Sequence, residues 1–476
     1  MSGVRESDIR IVEAEAYFSD EVAREALTFG ASVAATLTLC HVRVRVENRC
    51  GQVADGWGAI FLSHYWAFPS TAVPLAAKDA AMRRTTQALC GLAMRYRRYD
   101  HPIDIFRDIE GDLAAISVGI CREAGLAEAM PYLGALVCLS PIDAAIHDAF
   151  GNVNGIPAYA GYGPAHCRND LGAYLGPRYR GRYLSALLRP APAPKVPIAH
   201  TVGHLDALTP GDVRPGAPQD GRPNALTEWI AREGLFCFKV KLRGVDLAWD
   251  IDRYLSVFRT AQAARPRGDK RESRCSVDAN EQCPSPAYMV EFLARVRESA
   301  PAAFAALRYI EQPTERDLYL HRFDMHELAA IKPVIIDESL TQVSDLDEAI
   351  ARGWSGVALK TCKCHSLALL IAARAESEGL MYMVQDLTNP GIALLHSIGL
   401  AAWVRSPLAV EVNARQYYPD TSLPESAVHP NIFAIHDGYA ETVTLRGNGL
   451  GYQVAQTSRN IFVPVPVRNG LVGQLD

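Results

Sequence analysis

Five short runs of mostly β-branched or aromatic residues, each ending on a polar residue, are the feature that most constrains the fold of this chain. Helix-length stretches with apolar residues three and four positions apart separate the runs, and consecutive end residues lie 23 to 37 positions apart. Strands that alternate with helices at this spacing form parallel βαβ units. The runs are residues 237–241, 275–278, 307–311, 334–337 and 356–360.

Three further runs extend this pattern to eight strands between about residues 195 and 415. Residues 196–200 read as the first strand, and residues 381–385 and 408–412 as the last two. The intervening helices are predicted at 247–264, 287–298, 318–330, 343–351, 367–378 and 392–404. Eight parallel strands with helices between them predict an α/β fold, a (β/α) barrel, whose chemistry gathers at the carboxyl ends of the strands.

Three acidic residues end neighbouring strands of this predicted barrel: Asp278, Glu311 and Asp337. Carboxylates brought onto one rim repel each other, and a cation relieves that repulsion. Oxygen ligands on rigid strand ends favour a hard ion, Mg²⁺, with Mn²⁺ as the alternative. The competing interpretation is that each acid only caps the helix that follows it.

Lysines flank the acidic trio on both sides. Lys239 and Lys241 are two apart on one strand and so share a face, which is the barrel interior if Val240 packs outward. A lysine near a metal ion and a second ammonium group is expected to have a lowered pKa and can act as a base. Lys360 ends a strand beyond the trio and would approach a substrate from the opposite side. The alternative is that these are ordinary solvated lysines on an edge strand and before a loop.

These residues resemble the motifs of the enolase superfamily, in its mandelate racemase and muconate lactonizing enzyme branch. Lys239-Val-Lys241 is similar to the Lys-x-Lys motif, and Lys360 to the second catalytic lysine of the muconate lactonizing group. Asp278 in Asp-Ala-Asn280, Glu311 in Glu-Gln-Pro313 and Asp337 in Asp-Glu-Ser339 resemble the Mg²⁺ ligands.

The resemblance implies a modified TIM barrel, (β/α)7β, with an α+β capping domain. Residues 1–165 would form the cap, with a strand at 9–17, a hairpin at 36–46 and 51–62, and helices after it. Residues 195–415 would form the barrel, and residues 416–476 would return to the cap.

The activity implied by the resemblance is abstraction of the proton α to a carboxylate through an enediolate. Lys241 and Lys360 would be the two bases, with Lys239 lowering the pKa of Lys241, so that racemisation or epimerisation of a small carboxylic acid follows. Elimination or cycloisomerisation from the same intermediate, for example on an acid sugar, stays open. A metal-binding and carboxylate-binding protein without turnover is the alternative of another class.

Four residues are candidates for substrate binding. Asn280 and Asp386 follow strand ends, and Tyr65 and Trp66 lie in an aromatic stretch at 63–73 of the cap. The aromatic pair could instead be interdomain core. Residues 19–32 are predicted as a second specificity loop, and residues 162–194 and 204–223 look longer than the family's minimal form.

Composition excludes several other classes of function. The net charge of −5 argues against nucleic acid as a partner, and the basic, aromatic cluster at 95–99 reads as the solvated face of a helix. No apolar run reaches about 18 residues, which argues against a membrane span. Eleven scattered cysteines without a disulfide-like framework predict a reducing cytoplasm. A homo-oligomer is also expected.

Overall fold

The N-terminal part of the chain is built on a three-stranded antiparallel sheet. The computed structural model describes residues 4–29 and 32–460. The strands pair in the order β1 (Ile9–Phe29), β2 (Ser32–Asn48) and β3 (Val53–Phe61). The predicted loop at 19–32 is wrong, because pairing continues almost to the tip of the hairpin, with a bulge between the Val22 and Leu27 pairs.

Helices cover one face of this sheet. Gly56 and Gly58, on either side of Trp57, allow one of these helices to pack in direct contact with the backbone of β3. A Cβ atom on Gly56 would lie 2.1 Å from the backbone nitrogen of Ala149, and one on Gly58 would lie 2.0 Å from the carbonyl oxygen of Pro141. The helix that touches them can approach the strand only because both positions lack a side chain. The helices of this part are α1 (His64–Ala67), α2 (Leu75–Arg95), α3 (Pro102–Glu123), α4 (Tyr132–Asn154) and α5 (Leu171–Leu175).

Within the described residues, α4 is the single helix long and apolar enough to cross a membrane by length and composition, and it is wholly buried inside the protein. Its apolar character is therefore accounted for by packing against β2 and β3. The basic cluster at 95–99 is not a helix face, since α2 ends at Arg95. Tyr99 instead packs under the guanidinium groups of Arg10 and Arg49.

The second part is a closed barrel of eight parallel strands. The ring closes because Val410 of the last strand pairs with Ile198 of the first. Small and apolar side chains fill the barrel below the site: Ala199, Cys237, Tyr309, Ile335, Ala358, Met383 and Ala409. The strands are β4 (Lys195–Val202), β5 (Cys237–Lys241), β6 (Arg274–Asp278), β7 (Leu307–Glu311), β8 (Val334–Ile336), β9 (Gly356–Lys360), β10 (Met381–Gln385) and β11 (Val410–Glu411).

Helices follow the first seven strands, which gives the predicted (β/α)7β arrangement. Five of the predicted helices are found within two residues of their expected limits. The helix predicted at 318–330 is wrong in its first half, because Asp317 accepts hydrogen bonds from the backbone of Tyr319 and Leu320 and holds a turn there. The helices are α6 (Leu226–Glu233), α7 (Leu247–Ala264), α8 (Pro286–Ser299), α9 (Pro301–Ala306), α10 (His326–Ile331), α11 (Asp345–Ala351), α12 (His365–Glu378) and α13 (Gly391–Trp403).

The chain then runs back from the barrel towards the sheet domain. Short helices follow β11, and β12 pairs antiparallel with β4. Gly449 exchanges backbone hydrogen bonds with Ile156 and Ala158, and Asp148 of α4 accepts from the backbone nitrogen of Leu450 at 2.7 Å. The domain limits at 165, 195 and 415 stay a prediction, and residues 461–476 lie outside the described part. These last elements are α14 (Ala414–Tyr417), α15 (Leu423–Ser426), α16 (Pro430–Phe433) and β12 (Tyr439–Glu441).

Candidate active site

The predicted site residues converge because their strands are in register. Lys241 pairs with Asp278, and Asp278 pairs with Glu311, so the ends of β5, β6 and β7 lie level with each other. Asp337 comes directly after β8, and Lys360 ends β9. All of these side chains therefore lie at the carboxyl end of the barrel, where parallel strands present their polar residues.

Lys239 is enclosed by three carboxylates. Its Nζ lies 2.7 Å from Glu311, 2.6 Å from Glu411 and 3.1 Å from Asp278. The side chain is only 3% exposed. Burial lowers the pKa of Lys239, but the three carboxylates raise it by more, so its pKa is well above the usual value. Lys239 is thus a fixed cation that holds three acidic side chains together.

Lys241 has fewer partners and more access to solvent. Its Nζ donates to Asp278 at 2.5 Å and to the side-chain oxygen of Asn280 at 2.9 Å, and 16% of its side chain is exposed. Asn280 is held at a positive φ of 44°, a conformation that a non-glycine residue rarely adopts and that is often found at functional sites. Asn280 therefore lies at the site, and its role in substrate binding stays a prediction.

Lys360 approaches from the opposite wall. Three strands separate β5 from β9 in either direction around the ring. The Nζ of Lys360 donates to Asp337 at 2.6 Å and lies 4.6 Å from the centre of the Trp66 ring. Burial lowers the pKa of Lys360, and the carboxylates of Asp337, Glu338 and Glu311 together raise it by more, so the net shift is upward. Carboxylates are thus the nearest charged partners of both Lys239 and Lys360.

Three residues of the site were not predicted from the sequence: Lys363, Glu338 and Glu411, which contacts Lys239 and lines the cavity. Lys363 donates to the side chain of Asp337 at 3.1 Å and also to its backbone oxygen. Glu338 accepts from the indole nitrogen of Trp66 at 2.8 Å. A signal for Lys363 was available: it lies three residues after Lys360 in a 3-10 turn, which places both on the same side. The signal for Glu338 was its position directly after Asp337, a predicted Mg²⁺ ligand.

Repulsion between the acids is visible in their pKa values. The pKa of Glu311 is raised well above its usual value by burial and by Asp278, against the opposing effect of Lys239. Burial and the charge of Asp337 likewise raise the pKa of Glu338. Burial also raises the pKa of Asp337, but Lys360 and Lys363 lower it by more, to about 2.

The donor set fits a divalent cation in its chemistry. Six carboxyl groups and four lysines line the cavity or contact the residues that line it, which leaves two excess negative charges when all are ionised. The acids are Asp278, Glu311, Asp337, Glu338, Asp386 and Glu411, and the lysines are Lys239, Lys241, Lys360 and Lys363. Among the described residues, no group of three or more His, Cys, Asp or Glu side chains is already arranged as a metal site. Ammonium groups lie between the carboxylates, so a bound ion would replace them as partners.

The four predicted substrate-binding residues differ in where they lie. Trp66 and Asp386 line the same cavity as Lys241 and Lys360, as does Asn280. The oxygens of Asp386 are occupied, because they accept from the backbone and side-chain nitrogens of Asn389 at 2.8 Å. Burial raises the pKa of Asp386 to about 7. Asp386 therefore forms part of the cavity wall, and both of its carboxylate oxygens already accept hydrogen bonds from Asn389.

Tyr65 is not brought to the cavity. It packs with Phe61, Tyr417 and Tyr418 in a separate apolar cluster between the sheet domain and the chain after β11. The packing of Tyr65 agrees with the interdomain interpretation, and its role as a substrate contact stays a prediction. Trp66, next to it in the chain, is buried and turned the other way, towards Glu338.

The cavity is small in this structure. Its free volume is about 40 Å³, which holds a water molecule or two. Trp66 closes it from the cap side, and Arg316 fixes the Trp66 backbone oxygen at 3.2 Å while forming a two-pronged ion pair with Glu281.

Comparisons with known proteins agree with this geometry. Residues 223–458 match the sequence model of a family described as enolase C-terminal domain-like. No curated protein matches the chain.

Solved structures of low sequence identity share the fold over nearly the whole chain. A member of the enolase superfamily from Roseovarius nubinhibens ISM is 20% identical, with a TM-score of 0.58 over 96% of this chain and 99% of that one. The 2-chloromuconate cycloisomerase from Rhodococcus opacus 1CP is 18% identical, with a TM-score of 0.56 over 93% and 96%. The L-Ala-D/L-Glu epimerase from Bacillus subtilis is 16% identical, with a TM-score of 0.56 over 86% and 90%.

The family match covers the strands and loops that carry the lysines and carboxylates, and the solved structures share both the barrel and the cap. The chain is a member of the enolase superfamily, of the mandelate racemase and muconate lactonizing enzyme type.

Proposed function

We propose that this enzyme removes the proton α to the carboxylate of a small carboxylic acid and returns it, acting as a racemase or epimerase. The observation that carries the proposal is the placement of Lys241 and Lys360 on opposite strands of the ring, both lining one cavity. A carbon atom held between them can lose a proton to one amine and regain it from the other.

Each of the two lysines would act as the base for one enantiomer of the substrate. Lys241, with one carboxylate and one amide as partners, is the base for one enantiomer, and Lys360 is the base for the other. Each must first give up a proton and become a neutral amine before it can accept one from carbon. Lys239, enclosed by three carboxylates, would stay charged and position Glu311 and Asp278.

Asp278, Glu311 and Asp337 are the residues that would hold Mg²⁺, or Mn²⁺ in its place. The ion would supply positive charge next to the substrate carboxylate, where negative charge develops when the α proton leaves. The excess of acidic over basic groups around the cavity supports this assignment. Trp66 and the residues around it would exclude water from the reacting carbon.

A second outcome of the same proton removal is elimination or cycloisomerisation. The similarity to a cycloisomerase structure and to an epimerase structure favours neither over the other, since the identity in both cases is below 20%. The outcome depends on whether the substrate carries a leaving group or a nucleophile next to the α carbon.

Deuterium exchange tests the proposal. Mg²⁺-loaded protein is incubated in D₂O with both enantiomers of a panel of N-acyl amino acids and hydroxy acids, and the α position is followed by NMR. We expect exchange with at least one acid. Lys241→Ala should stop exchange from one enantiomer and Lys360→Ala from the other, each by about a hundredfold or more.

Lys270→Ala, which removes an exposed lysine of the barrel's outer surface, is the matched control and should exchange at the wild-type rate. Exchange that persists in both active-site variants would contradict the roles of the lysines. Loss of substrate with formation of a new product, without exchange into the recovered acid, would instead establish the lyase or cycloisomerase outcome.

A further inference from the structure

A second cavity, of about 530 Å³, lies beside the active site. The long segment 204–223, the end of β4, the start of α6 and the cap hairpin form its walls. Thr201 pairs with Lys239 and faces the barrel interior, so His200 and Val202, on either side of it, face outward into this cavity. Tyr417 lines both cavities, and the end of β4 also lies between them.

The walls of this cavity are tied together by Arg24 of the cap hairpin. Its guanidinium makes two hydrogen bonds to Asp220, at 2.7 and 2.9 Å, and one to Asn224 at 2.6 Å. Arg222 joins the same cluster to Asp420 at 2.6 Å. The side chain of Arg24 is only 8% exposed, and its charge is matched by Asp220. The cavity is therefore a built feature that joins the cap, the segment 204–223 and the chain after β11.

The cavity presents hydrogen-bond acceptors. The side-chain oxygen of Gln416 is buried without a partner among the described residues, although the residue is only 7% exposed. Its amide nitrogen donates to the backbone oxygen of Thr201 at 3.1 Å, and a flipped amide would place two oxygens against each other there. The unpaired oxygen is thus fixed in orientation and needs a donor.

Negative charge adds to these acceptors. Glu25 is an exposed residue without a hydrogen-bond or ion-pair partner among the described residues. Partial burial of its carboxyl group raises its pKa against the lowering effect of Arg24, and Asp206 and Asp220 add to the rise. Asp206 accepts from the backbone nitrogen of Gly203 at 2.7 Å and keeps capacity to accept more. With Arg24 matched by Asp220, the acids Glu25, Asp206 and Asp212 face a single exposed cation of the lining, Arg214.

Two aromatic side chains, Trp229 and Tyr417, complete the lining. Carboxylates, an unpaired amide oxygen and aromatic faces together suit a cation that donates several hydrogen bonds. We infer that this cavity is a distal substrate subsite that takes an amine or guanidinium group at the far end of the carboxylic acid. The link to the substrate rests on the proposed function, whereas binding of an amine in the cavity does not.

Direct binding tests the inference on the full chain. Cadaverine (a five-carbon diamine), glutarate and pentanediol, which have equal chain length and differ in charge, are titrated while Trp229 fluorescence and ligand NMR signals are followed. We expect saturable binding of cadaverine alone, weakened about tenfold or more by Glu25→Gln and by Asp206→Asn. Asp252→Asn, which removes an equal charge from the outer face of α7, should bind as the wild type does.

The substrate link is tested with Nα-acetyl-lysine and Nα-acetyl-norleucine, which differ by the terminal amine. In the D₂O assay, Glu25→Gln should slow exchange of the lysine derivative about tenfold and leave the norleucine derivative unchanged. Absence of cadaverine binding, or binding that survives both variants, overturns the inference whatever the exchange result. Cadaverine binding without exchange of any acid would contradict the proposed function and leave the amine site standing.

Discussion

At the scale of single residues, what could be predicted from the sequence depends on whether a residue ends a strand. Lys241, Asp278, Glu311, Asp337 and Lys360 each end or directly follow a strand, and the ring brings such positions together whatever the details of packing. The orientation of a residue in a four-residue helix such as α1 follows no such rule. That is why Trp66 reaches the cavity while its neighbour Tyr65 does not.

Adjacent aromatic substitutions should therefore have opposite effects. Tyr65→Leu removes packing from the interdomain cluster, so we expect a loss of about 1–2 kcal/mol in the free energy of unfolding with unchanged activity per folded molecule. Trp66→Phe removes the hydrogen bond to Glu338 at the cavity wall. We expect it to change substrate selectivity about tenfold and to cost about 1 kcal/mol of stability.

Urea unfolding and the exchange rates of two acids of different size, measured on both variants, separate the two effects. A Tyr65→Leu protein with altered selectivity and wild-type stability would contradict the placement of Tyr65. Equal selectivity of Trp66→Phe and the wild type would show that the indole nitrogen does not shape the site.

At the scale of secondary-structure elements, the sequence predicted the helices whose apolar spacing is regular and missed features set by local side-chain hydrogen bonds. The limits of α7 match the prediction, whereas the turn held by Asp317 replaces the first half of the helix predicted at 318–330. Residues 19–29 lack a clear alternation of apolar residues, yet they form strand because β2 continues opposite them. Pairing of this kind depends on a partner strand and not on the residues themselves.

A chain of buried polar side chains joins elements that no motif in the sequence connects. It runs from α4 of the cap through the segment before β4 to α12 and α13 of the barrel. Asp143 accepts from Ser366 at 2.8 Å, Ser366 contacts His147 at 2.8 Å, and Tyr162 bridges His147 to His365 at 2.8 and 3.0 Å. Burial lowers the pKa of both histidines well below the usual value, so they are neutral and the chain carries no cation to match Asp143.

This arrangement predicts a pH dependence of stability. Burial raises the pKa of Asp143 to about 7 in the folded protein, from an ordinary value of 3.8. Between these values the folded state keeps a proton that the unfolded state has lost, so the contribution of Asp143 to stability falls as pH rises from about 4 to 7. The free energy of unfolding of Asp143→Asn relative to the wild type should increase by about 2–4 kcal/mol over that range.

Urea unfolding at both ends of the range measures this difference, and effects of other groups cancel between the two proteins. Asp112→Asn, at an exposed position of α3, is the control and should show no such trend. A constant difference between Asp143→Asn and the wild type would mean that Asp143 is ionised in the folded protein throughout.

At the scale of the whole molecule, the order of domains was predictable and the way they meet was not. Trp66 reaches Glu338 across 272 positions of sequence, and the backbone nitrogen of Phe61 donates to Asn389 across 328. The pattern of apolar residues within a strand or helix carries no information about contacts between residues so far apart in the sequence. These contacts close the cavity from above, and they place the cap hairpin beside the segment 204–223, where the second cavity forms.

The balance of charge inside the closed barrel gives the last prediction. Six carboxyl groups face four lysines in a largely buried site, so a bound divalent cation should stabilise the folded protein by relieving their repulsion. At a Mg²⁺ concentration about a hundred times its Kd, the expected gain is about 2.7 kcal/mol. We expect the Tm to rise with Mg²⁺ after treatment with a chelator, and Asp337→Asn to lose most of that rise. Asp324→Asn, an exposed acid outside the barrel mouth, should keep it, and a rise that is equal in both variants would place the ion elsewhere on the molecule.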